Sequence, residues 1–258
     1  MTTTEPASLE LRGLEVTIDQ HQILRDISLS ILPGELFVLL GGAGEGKSTL
    51  LRAIAGLDPV SAGELWIDDR EITRVAVNRR GVALMLQSFP LWTHMRVAKN
   101  VAFGLRSHGL GRAETKRRVE AELTLLGLGD FYRHLPQQLS PAQQQRVALA
   151  RTLIAGAQVT LLDEPFSAQD AQLRERLVRA LKKRQLQSAT TTLLTTQDRS
   201  EALRIADRIA LIHEGELQQV GTPMELYDAP WNRYVAEYMG DVNLIDGEIE
   251  YAGDQPLF

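Results

Sequence analysis

An α/β fold with a largely parallel sheet is predicted for this chain from three observations. Apolar runs at 36–40, 82–86 and 159–162 read as buried strands, because a strand covered on both faces loses its polar alternation. Segments of helical period separate these runs. The glycine-rich stretch Gly41-Gly42-Ala43-Gly44-Glu45-Gly46-Lys47-Ser48-Thr49 follows the first run and precedes a helical pattern, Leu50 to Ala55, so strand, glycine loop and helix stand in succession.

Taken in order, residues 9–32 alternate apolar and polar (Leu9, Leu11, Val16, Ile18, Ile27, Leu29, Ile31), which predicts two or three antiparallel strands ahead of the turn at Pro33-Gly34. The helix after the glycine loop is expected to end at Gly56, a residue free to take the left-handed C′ conformation. Leu65-Trp66-Ile67 and Arg70-Glu71-Ile72 flank Asp68-Asp69 as a hairpin. From 88 to 145 the pattern turns helical, with pieces near 96–107, 113–126 and 141–155, and predicts an inserted helical subdomain. Leu173, Leu177 and Leu181 mark one face of a further helix, residues 190–195 a β-branched strand, and 209–212 with 217–220 a hairpin through Glu214-Gly215. Thr222-Pro223-Met224-Glu225 is a capping box with proline at the first helical position, and a last helix ends at Gly240.

Composition narrows the class. The chain has 258 residues, enough for one large core or two modest ones, with 44% hydrophobic and 24% charged residues as in a soluble globular protein. No apolar run approaches the roughly twenty residues of a membrane span, and Met1 to Pro6 lacks the basic and apolar regions of a signal peptide, so a cytoplasmic protein is expected. Zero cysteines exclude disulfides, thiolate metal sites and cysteine nucleophiles. A net charge of -5 argues against a nucleic-acid partner, and the one basic run, Lys116-Arg117-Arg118, reads as the solvated face of a helix buried through Val119, Leu123 and Leu126.

The glycine stretch carries the chemistry. Gly41, Gly44 and Gly46 let consecutive N–H groups turn inward as a nest for an anion, and the helix beginning at Lys47 adds the positive end of its dipole. Lys47 supplies a point charge for the outer phosphates of a nucleotide, and the Ser48 hydroxyl a ligand for Mg²⁺. The run 159–162 delivers Asp163-Glu164 to the same end of the sheet, where Asp163 suits the metal and Glu164 an attacking water.

With these residues in place, the chain resembles the ATP-binding subunits of ABC transporters, specifically importer subunits of the maltose, polyamine, sulfate and ferric-iron type, from about residue 9 to 250. Gln87-Ser88-Phe89-Pro90-Leu91-Trp92-Thr93-His94-Met95 is similar to the family's Q-loop, Leu139-Ser140-Pro141-Ala142-Gln143-Gln144-Gln145-Arg146 to its signature sequence, Ser167-Ala168-Gln169-Asp170 to its D-loop, and Thr196-Gln197-Asp198 to its switch loop. The resemblance implies a P-loop NTPase core with an N-terminal antiparallel β-subdomain, an ABC ATPase domain over 1–240 with the helical subdomain at 88–145 inserted in it, and a tail, 241–258, resembling the start of a truncated regulatory β-domain. It also implies ATP and Mg²⁺ as cofactors, held by residues 41–49 with Ser48, Gln87 and Asp163 at the metal, and Glu164, Gln197 and Gln87 as catalytic residues. A second copy of the chain would contribute Ser140, Ala142 and Gln143 to the shared nucleotide. Transmembrane permease subunits would dock in the groove near Gln87 to Met95, a solute-binding protein would act indirectly, and the subunit would sit peripherally on the cytoplasmic face of the inner membrane.

Four departures from the family pattern bear on this expectation. Pro141 and Ala142 stand where the signature has two glycines, and proline removes one N–H. Gln197 stands where the switch loop has histidine, and loss of a preorganised donor costs up to about 3–4 kcal/mol, although a glutamine amide still donates. His21 is the only ring where an adenine-stacking aromatic is expected. Residues 243–249 resemble the first strand of the regulatory domain, with only 250–258 following. These departures leave a second expectation open, a nucleotide-binding coupler with little hydrolysis of its own, paired with an active subunit. A soluble ATPase serving DNA or ribosomes is disfavoured by charge and by residues 221–240, which resemble the segment that follows the core in these importers, and a small-molecule kinase would need neither Ser140 nor Gln87.

Overall fold

A two-residue turn and two strands that each keep one face apolar begin the fold. In the computed structural model, which describes residues 6–188, 190–245, 250–252 and 255–257, β1 (Leu9–Ile18) and β2 (His21–Ile31) pair antiparallel across Asp19 and Gln20, both at positive φ of 48° and 65°. Positive φ at both central residues matches the right-handed twist of the flanking strands. The region read as two or three strands is therefore two. β3 (Leu36–Leu40) leads to α1 (Lys47–Ala55), and β4 (Ala62–Ile67) with β5 (Arg70–Glu71) completes a four-stranded antiparallel sheet in the order β2-β1-β4-β5.

The second sheet has the order β10-β9-β3-β8-β7-β6, built from β6 (Val82–Met85), β7 (Val159–Asp163), β8 (Thr191–Thr196), β9 (Arg208–His213) and β10 (Glu216–Gly221) around β3. All its neighbours are parallel except the β9–β10 hairpin. β3 is buried along its whole length because successive side chains enter different cores. Phe37 and Leu39 join α1 and the antiparallel sheet, whereas Leu36, Val38 and Leu40 join the helices on the opposite face. The expectation of burial fails for 82–86: β6 is the edge strand, only Met85 is buried, and Leu86 lies outside it.

The helical face holds α2 (Val97–Ala102), α3 (Arg112–Leu125), α4 (Pro141–Leu153), α5 (Ala171–Ser188), α6 (Arg199–Ile205), α7 (Pro223–Asp228) and α8 (Arg233–Met239). The segment 88–145 shares one continuous core with the sheet, since Val97, Val101, Val119 and Leu123 pack in the same cluster as Leu162 and Leu194. The basic run on α3 is solvated as expected, with Arg117 and Arg118 both closing on Glu114 at 2.8 and 2.7 Å. The chain follows α6 with no periodic signal in the sequence, because seven residues hold barely two turns.

At the tail, Asn243, Leu244 and Ile245 form no strand, and 246–249, the rest of the strand expected there, lies outside the described residues. A short hairpin, β11 (Glu250–Ala252) with β12 (Gln255–Leu257), comes later instead. Among the described residues no helix is long and apolar enough to cross a membrane.

Candidate functional site

Parallel strands bring the carboxyl ends of β3, β6, β7 and β8 to one edge of the sheet, and four of the predicted segments leave from those ends. The glycine loop follows β3. Gly44 and Gly46 take φ of 84° and 91°, and Gly46 caps α1 with no side-chain hydrogen bond, so the first amides of that helix are left to the loop's concavity. Side chains have no room at two places: a Cβ would lie 2.6 Å from the Ile212 carbonyl at Gly41 and 2.6 Å from Leu24 Cδ2 at Gly46. Lys47 is 4% exposed and donates through Nζ to the Gly41 carbonyl at 2.8 Å and to that of Gly42. Burial pushes its ammonium down, against the charges of Glu164, Asp163 and Glu45.

Opposite the loop, Asp163 is 2% exposed and accepts from the Ser48 hydroxyl at 3.0 Å and the Thr195 hydroxyl at 2.7 Å, both on Oδ1. Thr195 stands beside Asp163 in the β7–β8 register and also accepts the Glu164 N–H at 3.1 Å. Glu164 sits at φ 45°, a left-handed conformation that costs energy in a residue with a Cβ. The turn aims its carboxylate between two amides: Gln197 Nε2 donates to Oε1 at 2.6 Å and Gln87 Nε2 to Oε2 at 3.1 Å. All three residues expected to be catalytic thus meet at one carboxylate.

The Ser140 segment is arranged differently. Ser140 caps α4 by accepting the Gln143 N–H at 3.3 Å, and Gln143 Oε1 accepts the Ser140 N–H at 2.8 Å. With Pro141 lacking an N–H, Ala142 keeps the one first-turn amide that neither cap takes. No hydrogen bond among the described residues joins 140–143 to 41–49. The segment connects to the site through Gln145, which is fully buried and donates to the Glu164 carbonyl at 3.1 Å, while its own oxygen accepts from Gln169 at 2.8 Å and from the Ala168 N–H at 3.2 Å. Gln169 in turn donates to the Ala142 carbonyl at 2.9 Å.

Sequence reasoning missed the role of Thr195 and read Gln145 only as part of the signature-like stretch. The signal for Thr195 is a hydroxyl on the strand next to Asp163; for Gln145 it is an amide four positions before Leu149, on the core face of its helix. Glu201 was missed too. It is 7% exposed on α6 and lines a cleft of about 230 Å³ with Glu164, Gln197 and Asp198, where burial first and the Asp198 charge second push its carboxyl up to about 7.

The residues after Gln87 form a separate, ordered surface. Fully buried Asn100 accepts the Trp92 N–H at 2.9 Å and donates to the carbonyls of Trp92, Met95 and Arg96. Trp92 packs on Phe103 with centroids 4.2 Å apart, and His94, Met95 and Phe103 line a cleft of about 500 Å³. His21 is exposed at the β1–β2 turn, with Nδ1 2.9 Å from the Asp19 carbonyl oxygen.

Comparison with known proteins agrees with this geometry. The ABC transporter family model matches residues 24–167. The chain is 41% identical over 258 residues to the Fe(3+) ions import ATP-binding protein FbpC of Agrobacterium fabrum, covering all of this chain and 73% of that protein. It is 44% identical over 226 residues to the sulfate/thiosulfate import ATP-binding protein CysA of Mycobacterium tuberculosis, covering 88% of this chain and 64% of that one. Among solved structures, the dimeric post-hydrolysis state of the ATP-binding cassette MJ0796 bound to ADP and Pi superimposes with a TM-score of 0.77 at 28% identity, over 83% of this chain and 98% of that one. With an amide-lined loop at the end of β3 and an acidic pair at the end of β7, the chain belongs to the ABC transporter family, as its ATP-binding and ATP-hydrolysing subunit.

Proposed function

We propose that the chain is the motor subunit of an ABC importer, binding MgATP between two copies of itself and hydrolysing it to reopen the pair. The observation that carries this reading is the Glu164 carboxylate, held by Gln87 and Gln197 one residue beyond the Asp163–Ser48 contact. In the mechanism, the amides of residues 41–49 and Lys47 hold the β- and γ-phosphates, and Glu164 accepts the proton of the water attacking the γ-phosphorus. Gln87 and Gln197 aim the carboxylate, and Gln197 also donates toward the phosphate without becoming charged. Ser140, Gln143 and the Ala142 amide of the partner subunit close the site from the other side.

The donor set fits Mg²⁺. Ser48 Oγ and Asp163 Oδ1 are hard oxygens 3.0 Å apart at the mouth of the loop, and no group of three His, Cys, Asp or Glu side chains among the described residues offers a rival metal cage. Such a site would take Ser48, Asp163 and, through its amide oxygen, Gln87, and the ion would neutralise charge on the phosphates.

Relatives with different cargo, ferric iron and sulfate or thiosulfate, are similar to the chain at 41% and 44% identity, which supports a motor role separate from cargo choice. The relatives are named as import ATP-binding proteins, which supports a motor beside permease subunits. In this reading the chain sits on the cytoplasmic face of the inner membrane, the cleft at His94 and Met95 is the docking groove, and a solute-binding protein acts through the permease. Calorimetry with MgATP, and sedimentation of the Glu164→Gln chain with and without MgATP, test the reading. Uptake of MgATP with nucleotide-dependent pairing of copies is expected, and absence of either overturns it. Pro141, Ala142 and Gln197 favour the second reading, a weakly hydrolysing coupler. Gln197→His separates the two: turnover rising about tenfold marks a weakened motor, and negligible turnover in both forms marks a coupler.

A further inference from the structure

We propose that α8 is a brace between the Gln197 loop and the phosphate loop, with Tyr238 and Tyr234 as positioning residues for hydrolysis. Tyr234 and Tyr238 lie four residues apart, so they share one face of the helix, and their ring centroids are 5.8 Å apart. Tyr238 donates its hydroxyl to the Gln197 carbonyl at 3.3 Å. Tyr234 stacks on His213 with centroids 3.9 Å apart and planes at 14°. His213 ends β9, and its Nδ1 lies 3.1 Å from Oε1 of Glu45, whose other oxygen takes the Glu214 N–H. A continuous series of contacts therefore runs from Glu45, in the glycine loop, through His213, Tyr234 and Tyr238 to the backbone of Gln197.

The helix that carries this series is itself held in place. Asn232 caps it by accepting the Val235 N–H at 2.9 Å, Val235 and Met239 are buried in the helical core, and Arg199 of α6 pairs with Asp241 at 3.3 Å just past its end. Gln197 stands exposed between the end of β8 and Asp198, which caps α6 and accepts from Arg174 at 3.0 Å, and among the described residues the Tyr238 hydroxyl is the one hydrogen-bond partner of its carbonyl. Its amide is nevertheless the closer of the two partners of Glu164. A shift of the Gln197 carbonyl is a shift of that amide, and misplacement of about 1 Å near a reacting group costs up to a hundredfold in rate. Burial, followed by Tyr234 and the charges of Glu45, Asp198 and Glu164, pushes the Tyr238 phenol up to about 12, so it remains a donor at any working pH.

The inference rests on Glu164 and Gln197 acting in hydrolysis. Its test is ATP turnover by the full chain carrying Tyr238→Phe, which keeps the ring and removes the hydroxyl. A fall in kcat of about fivefold with KM for ATP within about twofold is expected, and in a Gln197→Ala background the same substitution should change kcat by less than about twofold. Equal losses in both backgrounds mark a packing role and overturn the brace, as does no loss in the otherwise native chain. Amide exchange at 196–198 gives a readout independent of turnover: faster exchange in Tyr238→Phe supports the brace, and unchanged exchange overturns it. If Glu164→Gln stops turnover while Tyr238→Phe does nothing, the brace alone fails; if Glu164→Gln leaves turnover intact, the hydrolytic reading falls and takes the brace with it.

Discussion

α1 and α4 are the two helices whose first turns the sequence assigns to the nucleotide, and they begin in opposite ways. α1 starts at Gly46 with no side chain on its first amides, and Lys47 is buried against the loop's own carbonyls. α4 starts at Ser140 with both arms of a capping box closed and proline at its first position. An uncapped helix end is a ready anion site, whereas a self-capped one has spent part of that capacity on its own stability. The α1 half is thus complete within one chain. The α4 half leaves the Ala142 amide untaken by the cap, and the proposed function assigns it, with the Ser140 hydroxyl, to a ligand delivered by a second copy.

That contrast can be broken at the seam where the two halves meet, at Glu164. Glu164→Gln keeps a side chain between Gln87 and Gln197 but removes the carboxylate that the proposed function makes the base. Loss of turnover by at least about a hundredfold with MgATP binding retained is expected, read by steady-state kinetics beside calorimetry. Equal turnover would detach Glu164 from the reaction.

A smaller effect sharpens the account of the complete half. Arg80, 5% exposed, donates to the carbonyls of Ala53 and Ile54 at 2.9 and 2.8 Å and to those of Val75 and Thr73, so it closes the C-terminus of α1. Arg80→Met takes the guanidinium from the Ile54, Thr73 and Val75 carbonyls, while that of Ala53 keeps the Gly56 N–H at 3.0 Å, and should lower unfolding stability by about 3 kcal/mol, measured by denaturant titration.

Next comes Glu201, on the Gln197 side of the seam. Its folded carboxyl titrates at about 7, above the unfolded value near 4.5. Between those values the folded state holds a proton that the unfolded state has lost, so stability falls as pH rises through that window and stays low above it. Glu201→Gln should remove that slope and make the protein about 3 kcal/mol more stable than the parent at pH 8, with little difference at pH 4. Parallel stability curves for the two proteins from pH 4 to 8 would contradict this.

The smallest effect is expected in the open half. Ser140→Ala removes one arm of the box and should cost about 1 kcal/mol of stability. In the proposed dimer the cap and the nucleotide of a second copy use the same hydroxyl, so MgATP-dependent dimerisation, read by sedimentation, should weaken as well. A stability loss with unchanged dimerisation would make Ser140 a cap alone.

The glycine loop, Asp163-Glu164 and the capping boxes at Ser140 and Thr222 were legible in the sequence because each is a local pattern whose meaning depends on a few neighbours. The same locality explains what went unread. Gln87 and Gln197, 77 and 33 positions from the carboxylate they share, were grouped with Glu164 by family resemblance alone, and their direct hydrogen bonds to it were not legible, since nothing in their immediate neighbours points to Glu164. α6 has too few turns to show a period, and residues 82–84 have the composition of a buried strand yet form the sheet's edge, because strand order is settled by which neighbours remain to be paired.

By itself, the amino-acid order determined an α/β chain with an anion-binding loop after one buried strand and an acidic pair after another, since periodicity and glycine act within a few residues. Only the tertiary structure decided that Thr195 would share Asp163 with Ser48, that Gln145 would tie α4 to Glu164, and that one carboxylate would lie between two distant amides. These contacts join separate strands and helices, and they exist only where packing of the two cores brings those elements to the same edge of the sheet.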